Sequence, residues 1–226
     1  MRINKLLSNY GYCSRKETNR FIEEKRITVN GALCKPGQWV EEDDCILVDN
    51  KPIYKKEKIY IALNKPIGIT CTASREVKEN IIDFINYNEY IFPVGRLDKE
   101  SQGLIILTND GELANKILEA VNEHEKEYIV TVDKPFDYLF LDGMKSGVEI
   151  GGVKTRQCKI YKISEDTFKI ILTQGLNRQI RRMCKMFGYN VTKLNRVRIM
   201  NIKLDGMNVG NWRKLTDEEV EYLKIV

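Results

Sequence analysis

The sequence predicts an α+β protein in two parts, a small N-terminal helix–helix–hairpin unit over residues 1–55 and a larger domain over residues 56–226 built on a mixed, mostly antiparallel sheet. Three observations carry this reading. The first 35 residues hold two helix signals followed by a hairpin turn. A stretch poor in apolar residues near 52–58 then breaks the pattern, as linkers do. Beyond it, strand-like and helical runs alternate too irregularly for repeated βαβ units, which points away from a parallel, doubly wound sheet.

Ile3, Leu6, Leu7 and Tyr10 form an i, i+3, i+4, i+7 stripe that Gly11 ends, so the first element is a short amphipathic helix. Ser14-Arg15-Lys16-Glu17 is an S-x-x-E capping box, in which the Ser14 hydroxyl accepts the Glu17 amide and the Glu17 carboxylate reaches back. The second helix therefore starts there, with Phe21 and Ile22 toward the core and Arg15, Lys16 and Arg20 in solvent. Ile27-Thr28-Val29 alternates like a strand, and Asn30-Gly31 supplies both positive-φ positions of a type I′ hairpin turn. Downstream, strands are expected at 60–63, 104–107, 128–132 and 168–172, and helices at 111–121, 179–187 and 217–223. On the 179–187 helix, Ile180, Met183 and Phe187 should face the core while Arg178, Arg181, Arg182 and Lys185 lie nearer an opening. Lys193, Arg196 and Arg198, alternating with Val197 and Ile199, suggest a strand with one wet, basic face.

Composition narrows the function. No apolar run approaches the roughly 20 residues of a membrane span, and polar residues interrupt any secretory core after Arg2 and Lys5. A soluble, cytoplasmic protein is expected. The six cysteines include no C-x-x-C pair and there is one histidine, His124, so buried free thiols, no metal and a surface histidine without a role are expected. Neither G-x-x-x-x-G-K-[ST] nor G-x-G-x-x-G occurs, which removes the common nucleotide-binding loops.

Charge is segregated along the chain. Residues 1–35 carry eight basic against three acidic residues and residues 175–214 ten against one, net +5 and +9, while the whole chain is only +5. Two basic blocks kept apart cost self-repulsion, and a polyanionic partner explains them. Two solvated lysine-rich helix faces would produce the same counts. Chemistry is best placed in Gly95-Arg96-Leu97-Asp98-Lys99-Glu100-Ser101-Gln102-Gly103-Leu104, a polar segment that puts the Asp98 carboxylate at the mouth of an apolar strand. An Asp followed by Lys in a turn is also a common hydrogen-bonding arrangement, and the residues alone leave both readings open.

Four ordered motifs supply a resemblance. Residues 95–104 resemble the G-R-L-D-x-x-[ST]-x-G-L signature of the pseudouridine synthases; Asn64-Lys65-Pro66-Ile67-Gly68 resembles their N-K-P-x-G motif; Lys126-Glu127-Tyr128 resembles K-x-Y; and Gly175-Leu176-Asn177-Arg178-Gln179-Ile180-Arg181-Arg182-Met183 resembles G-x-N-R-Q-[IV]-R-R-M. The N-terminal unit, with Arg2 to Arg15 and Ile27 to Gly31, is similar to the S4 RNA-binding domain. Together they resemble the branch of ribosomal RNA pseudouridine synthases represented by RsuA, RluB, RluE and RluF, over nearly the whole chain.

That resemblance implies roles residue by residue. Asp98 is the essential aspartate, which either adds to C1′ of the uridine or removes a proton as the glycosidic bond breaks. Tyr128 stacks on the target base, Arg181 pairs with Asp98, and Arg96 lies near the flipped nucleotide. Lys5, Ser14, Arg15 and Lys16 present a positive helical face to structured RNA through phosphate and shape contacts, and Arg178, Arg182, Lys193, Arg196 and Arg198 extend the RNA surface of the catalytic domain. Such an isomerisation implies no cofactor. A carboxylate beneath a bound base needs a cation beside it to keep its charged form and fix its orientation, which suits Arg181. Residues 173–178, 192–194 and 198–201 look most like the RluF type, which implies a uridine of 23S rRNA, with a transfer RNA anticodon uridine as a further candidate. No sustained heptad is present, so a monomer is expected. The runner-up is a ribosome-associated S4 protein that binds RNA without chemistry; a DNA-binding reading lacks any groove-reading module.

Overall fold

The computed structural model describes residues 1–74, 76–119 and 123–225. The N-terminal unit has helices Ile3–Asn9 and Arg15–Glu23 and a four-stranded sheet in the order Ala32–Leu33, Ile27–Val29, Ile46–Val48, Lys51–Pro52. Its local grammar follows the sequence. Both arms of the Ser14–Glu17 capping box form, at 3.1 and 3.0 Å. Asn30 and Gly31 take φ of 50° and 81°, so Val29 pairs with Ala32 across the predicted turn. Ile3, Leu6, Leu7, Ile22, Ile27, Val29, Ile46 and Val48 close a core of their own, while Phe21 is only partly buried against it, with the Arg26 guanidinium over its ring at 4.1 Å.

From Tyr60 onward the chain builds a nine-stranded sheet. Its main path runs Lys159–Lys162, Thr167–Leu172, Lys126–Val132, Val191–Ile199, Gln102–Thr108, Tyr60–Lys65, Trp212–Lys214, with Ile202–Lys203 and Phe92–Pro93 at its flanks. Every pairing is antiparallel except Val191–Ile199 against Gln102–Thr108. The architecture is thus the α+β class with a mixed, mostly antiparallel sheet that the sequence predicts.

The uninterrupted run Leu104-Ile105-Ile106-Leu107 is explained by coverage of both sheet faces. Ile105 and Leu107 enter one core with the helices Ile81–Ile85, Tyr138–Lys145 and Gln179–Met186, and Leu104 and Ile106 enter another with Gly111–Leu118 and Asp217–Ile225. The four predicted strands and three predicted helices all occur. The helix expected at 111–121 is seen as Gly111–Leu118, and residues 120 and 121 lie outside the described residues. Phe187 corrects the predicted apolar face: the helix ends at Met186, so its periodicity no longer governs the next side chain, which is 38% exposed, and Cys184 takes the core position instead. Five cysteines are buried, but Cys45 is exposed, immediately before the strand Ile46–Val48. No helix among the described residues is long and apolar enough to cross a membrane.

The C-terminal helix is held by a second capping box that the sequence reading passed over. Thr216 accepts the Glu219 amide (3.2 Å), Glu219 accepts the Thr216 amide (2.9 Å), and the same carboxylate takes both Arg213 Nη atoms at 2.7 Å. These bonds hold the Glu219 carboxyl below its usual 4.5, Arg213 being the largest cause. A depressed carboxylate contributes stability that is complete above the unfolded value and is lost as pH falls through the folded one. We expect Glu219→Gln to flatten the acid limb of the stability curve below about pH 4.5, measured by urea unfolding at stepped pH; an unchanged limb would mean the pair adds nothing.

Candidate active site

The Asp98 turn is held from three sides. Behind it, the Leu97 amide donates to the Cys71 sulfur (3.3 Å) and the Gly68 amide to the Lys99 carbonyl (2.8 Å), so the N-K-P-x-G loop backs the G-R-L-D loop. Lys65 has no solvent exposure, and its ammonium donates to the Pro66 and Ile69 carbonyls at 2.8 and 2.9 Å; burial pushes its pKa down. Within the turn, the Ser101 amide donates to the Asp98 carbonyl (3.0 Å). Ahead of it, Gly103 takes φ of 116° and pairs in register with Arg196 of the parallel strand. A Cβ on Gly103 would lie 2.3 Å from the Arg196 carbonyl oxygen. The motif's second glycine is therefore a close-approach residue between the strand that follows the Asp98 turn and its parallel neighbour.

Two arginines flank the Asp98 carboxylate. Arg181 Nε lies 3.8 Å and Arg178 Nη1 3.7 Å from Oδ2, distances of ion pairing rather than hydrogen bonding. Arg181 is itself fixed by donating to the Val191 carbonyl (3.0 Å) and Ser101 Oγ (3.2 Å). Its Nε is buried without a hydrogen-bond partner, on the side that faces Asp98. Arg178 occupies a left-handed backbone conformation, φ 49°, immediately before the helix Gln179–Met186. For a residue with a Cβ this conformation is uncommon and has a steric cost. It carries the guanidinium back over the turn, where a 2.6 Å bond to Glu100 raises the Arg178 pKa and holds the Glu100 carboxyl below its ordinary range.

Tyr128 sits mid-strand in Lys126–Val132, opposite Arg196 and Ile170, and is 9% exposed. It lines, together with Arg96, Asp98, Leu176, Arg178 and Arg181, one cleft of about 340 Å³, at the small end of ligand pockets. Aromatic, carboxylate and guanidinium groups thus share one opening, suited to a planar group carrying an anionic backbone.

The remaining predicted positions separate. Lys5, Arg15 and Lys16 are exposed on the N-terminal unit, whereas Ser14 commits its hydroxyl to Glu17. Lys193 is exposed, but the basic strip expected beyond it is corrected at two places. Arg196 is 3% exposed and donates through Nε to the Leu104 carbonyl (2.7 Å), because its strand lies inside the sheet and its side chain lines the cleft from within. Arg198 is held by Glu125 (2.9 Å) and Glu127 (3.2 Å), so its charge is already matched. Arg182 is exposed outside the cleft, its guanidinium against the Gly151 backbone. His124 is not a surface residue: it is 5% exposed, near the Lys116 carbonyl at 3.1 Å, and burial lowers its pKa. Ser101, fully buried on Arg181, was not singled out although it is the [ST] of the Asp98 motif; Arg196's place in the cleft had no local signal.

The fold and cleft define a small helical N-terminal module joined to an α+β domain whose site sets a carboxylate between guanidinium groups beside a tyrosine, and comparison with known proteins gives the family. Residues 1–46 match the S4 domain and residues 59–186 match RNA pseudouridylate synthase. The chain is 51% identical over 229 residues to the Salmonella typhi protein named dual-specificity RNA pseudouridine synthase RluF, covering all of this chain and 79% of that one. It is 32% identical over 232 residues to ribosomal large subunit pseudouridine synthase B of Bacillus subtilis (strain 168), covering 99% and 95%. A crystal structure of a pseudouridylate synthase superposes with a TM-score of 0.73 at 25% identity over 99% of both chains. The chain belongs to the RNA pseudouridine synthases.

Proposed function

We propose that this enzyme converts a uridine of 23S rRNA to pseudouridine and acts also on a transfer RNA anticodon uridine, with residues 1–55 docking the RNA and residues 56–226 carrying the chemistry in a monomer. The observation that supports this most is the Asp98 carboxylate flanked by Arg178 and Arg181 in the same cleft as Tyr128. The dual substrate rests on the residues 173–178, 192–194 and 198–201 and on likeness to relatives named dual-specificity.

In this reading the uridine leaves its stack, at a cost of a few kcal/mol, and its base is received by Tyr128 while Arg96 and Arg178 meet the backbone. Asp98 acts at the sugar, by addition to C1′ or by taking a proton. The C1′–N1 bond breaks with its electron pair on the uracil, the ring turns, and C5 bonds to C1′ as Asp98 leaves C1′ or returns the proton it took. The C5 proton departs and N1 gains one, so the product is an isomer and the step is redox-neutral. Arg181 holds Asp98 in place and offsets its charge, as fixed cations do in a site closed to water.

The test is direct. Unmodified 23S rRNA and an unmodified transfer RNA pool are incubated with the protein, and new pseudouridines are mapped by chemical labelling and reverse-transcription stops. One new site in each RNA is expected. A protein that binds both RNAs and modifies neither would favour the non-catalytic S4 reading, and a site in 16S rRNA alone would overturn the substrate assignment.

A further inference from the structure

The end of the catalytic strand farthest from Asp98 is a polar joint to the N-terminal unit. Asn109 follows Gln102–Thr108 directly and is 1% exposed. Its amide oxygen accepts from the Ile59 amide (2.9 Å), and its nitrogen donates to the Glu57 carbonyl (2.8 Å), fastening the chain that enters the sheet. Against the same nitrogen lies Gly11, at φ 74°, where a Cβ would stand 2.8 Å away. Around it, Lys58 donates to the Asn9 carbonyl (3.0 Å) and pairs with Asp110 (3.6 Å), and the Lys56 amide donates to the Tyr10 carbonyl (3.1 Å).

The C-terminal end of the first helix is thus tied by polar bonds to residues 56 and 58, the chain that Asn109 fastens to the sheet, and Asn9 also donates to Glu112 (3.4 Å). Hydrogen bonds define an orientation; apolar contact permits sliding. The seven residues of Gln102–Thr108, at about 3.3 Å each, separate this joint from the Asp98 turn by roughly 23 Å.

Resting on the function proposed above, we propose that Asn109 is a positioning residue: with Gly11 and Lys58 it sets the N-terminal unit at a fixed offset from the Asp98 cleft and thereby selects which uridine of a docked RNA reaches the site. The joint acts as a ruler, and its residues touch neither the reacting base nor the cleft. It should matter only for RNAs long enough to meet both parts, where the second contact raises effective concentration at one register.

The test compares wild type, Asn109→Ala and Lys58→Met on full-length 23S rRNA and on a short stem-loop centred on the mapped uridine. Lys58 is partly exposed, so its replacement leaves folding intact if Asn109→Ala does not. For both variants kcat on the stem-loop should stay within about twofold of wild type, while KM on the long RNA rises roughly tenfold and pseudouridines appear at neighbouring uridines. Equal losses on both RNAs would mean a merely structural role and would overturn the proposal. So would variants with wild-type KM and a single unchanged site. Wild-type protein inactive on both RNAs would overturn the function reading, and this one with it.

Discussion

Asp98→Asn is expected to lower the rate of pseudouridine formation on the order of 10⁴-fold, the scale lost when a nucleophile or general base is removed from a site left otherwise intact. The substitution is nearly isosteric, so the cleft keeps its shape. Arg181 remains anchored by Val191 and Ser101, and Arg178 keeps its 2.6 Å partner Glu100. Affinity should change little, because in the proposed reading RNA is held by phosphate contacts spread over the exposed basic residues and not by Asp98. Single-turnover rates at saturating RNA, beside filter binding of the same RNA, separate the two quantities. A variant within tenfold of wild type would remove Asp98 from the chemistry, and a variant that lost affinity and rate together would make it a docking residue.

Gly103→Ala should be the most damaging small substitution in the protein. The new Cβ would stand 2.3 Å from the Arg196 carbonyl oxygen and 2.5 Å from its nitrogen, both backbone atoms, at a φ of 116° that L residues rarely adopt. No side-chain rotation relieves a backbone clash, so the parallel pair Arg196–Gly103 must open. That pair joins the strand that follows the Asp98 turn to the strand that places Arg196 in the cleft. The expected loss is about 4 kcal/mol or more, a large part of the 5–15 kcal/mol that holds a typical domain folded. Urea unfolding followed by circular dichroism measures it, and a loss below about 1 kcal/mol would show that the strands can part without cost. At Gly175, where a Cβ meets nothing within 4 Å, the same substitution should be mild, which serves as the internal control.

Local signals were the legible part of this fold. The Ser14–Glu17 box, the Asn30-Gly31 turn and the two-sided apolar run at 104–107 each depend on atoms a few residues apart, and each formed where those residues stand. The Thr216–Glu219 box carried the same signal and could have been read. Less legible was Tyr138–Lys145, a short helix whose Tyr138 and Leu139 remain exposed and blur its apolar stripe.

The site divides in the same way. Order and identity along the chain were sufficient for the family, because a motif is a local constraint, and the structure brings Asp98, Tyr128 and Arg181 of three of those motifs into one cleft. Sequence by itself thus determined the class of reaction and the groups available for it. Only the tertiary structure decided which basic residues remain free. Arg196 and Arg198 alternate with apolar neighbours as a wet strand face would, yet one is buried on the Leu104 carbonyl and the other is neutralised by Glu125 and Glu127 from the adjoining strand. Burial and charge pairing depend on partners 71 to 92 residues away, and no window along the chain contains them. A still greater distance in sequence separates Gly11 from Asn109, so the seating of the N-terminal unit on the sheet belongs to the folded protein alone.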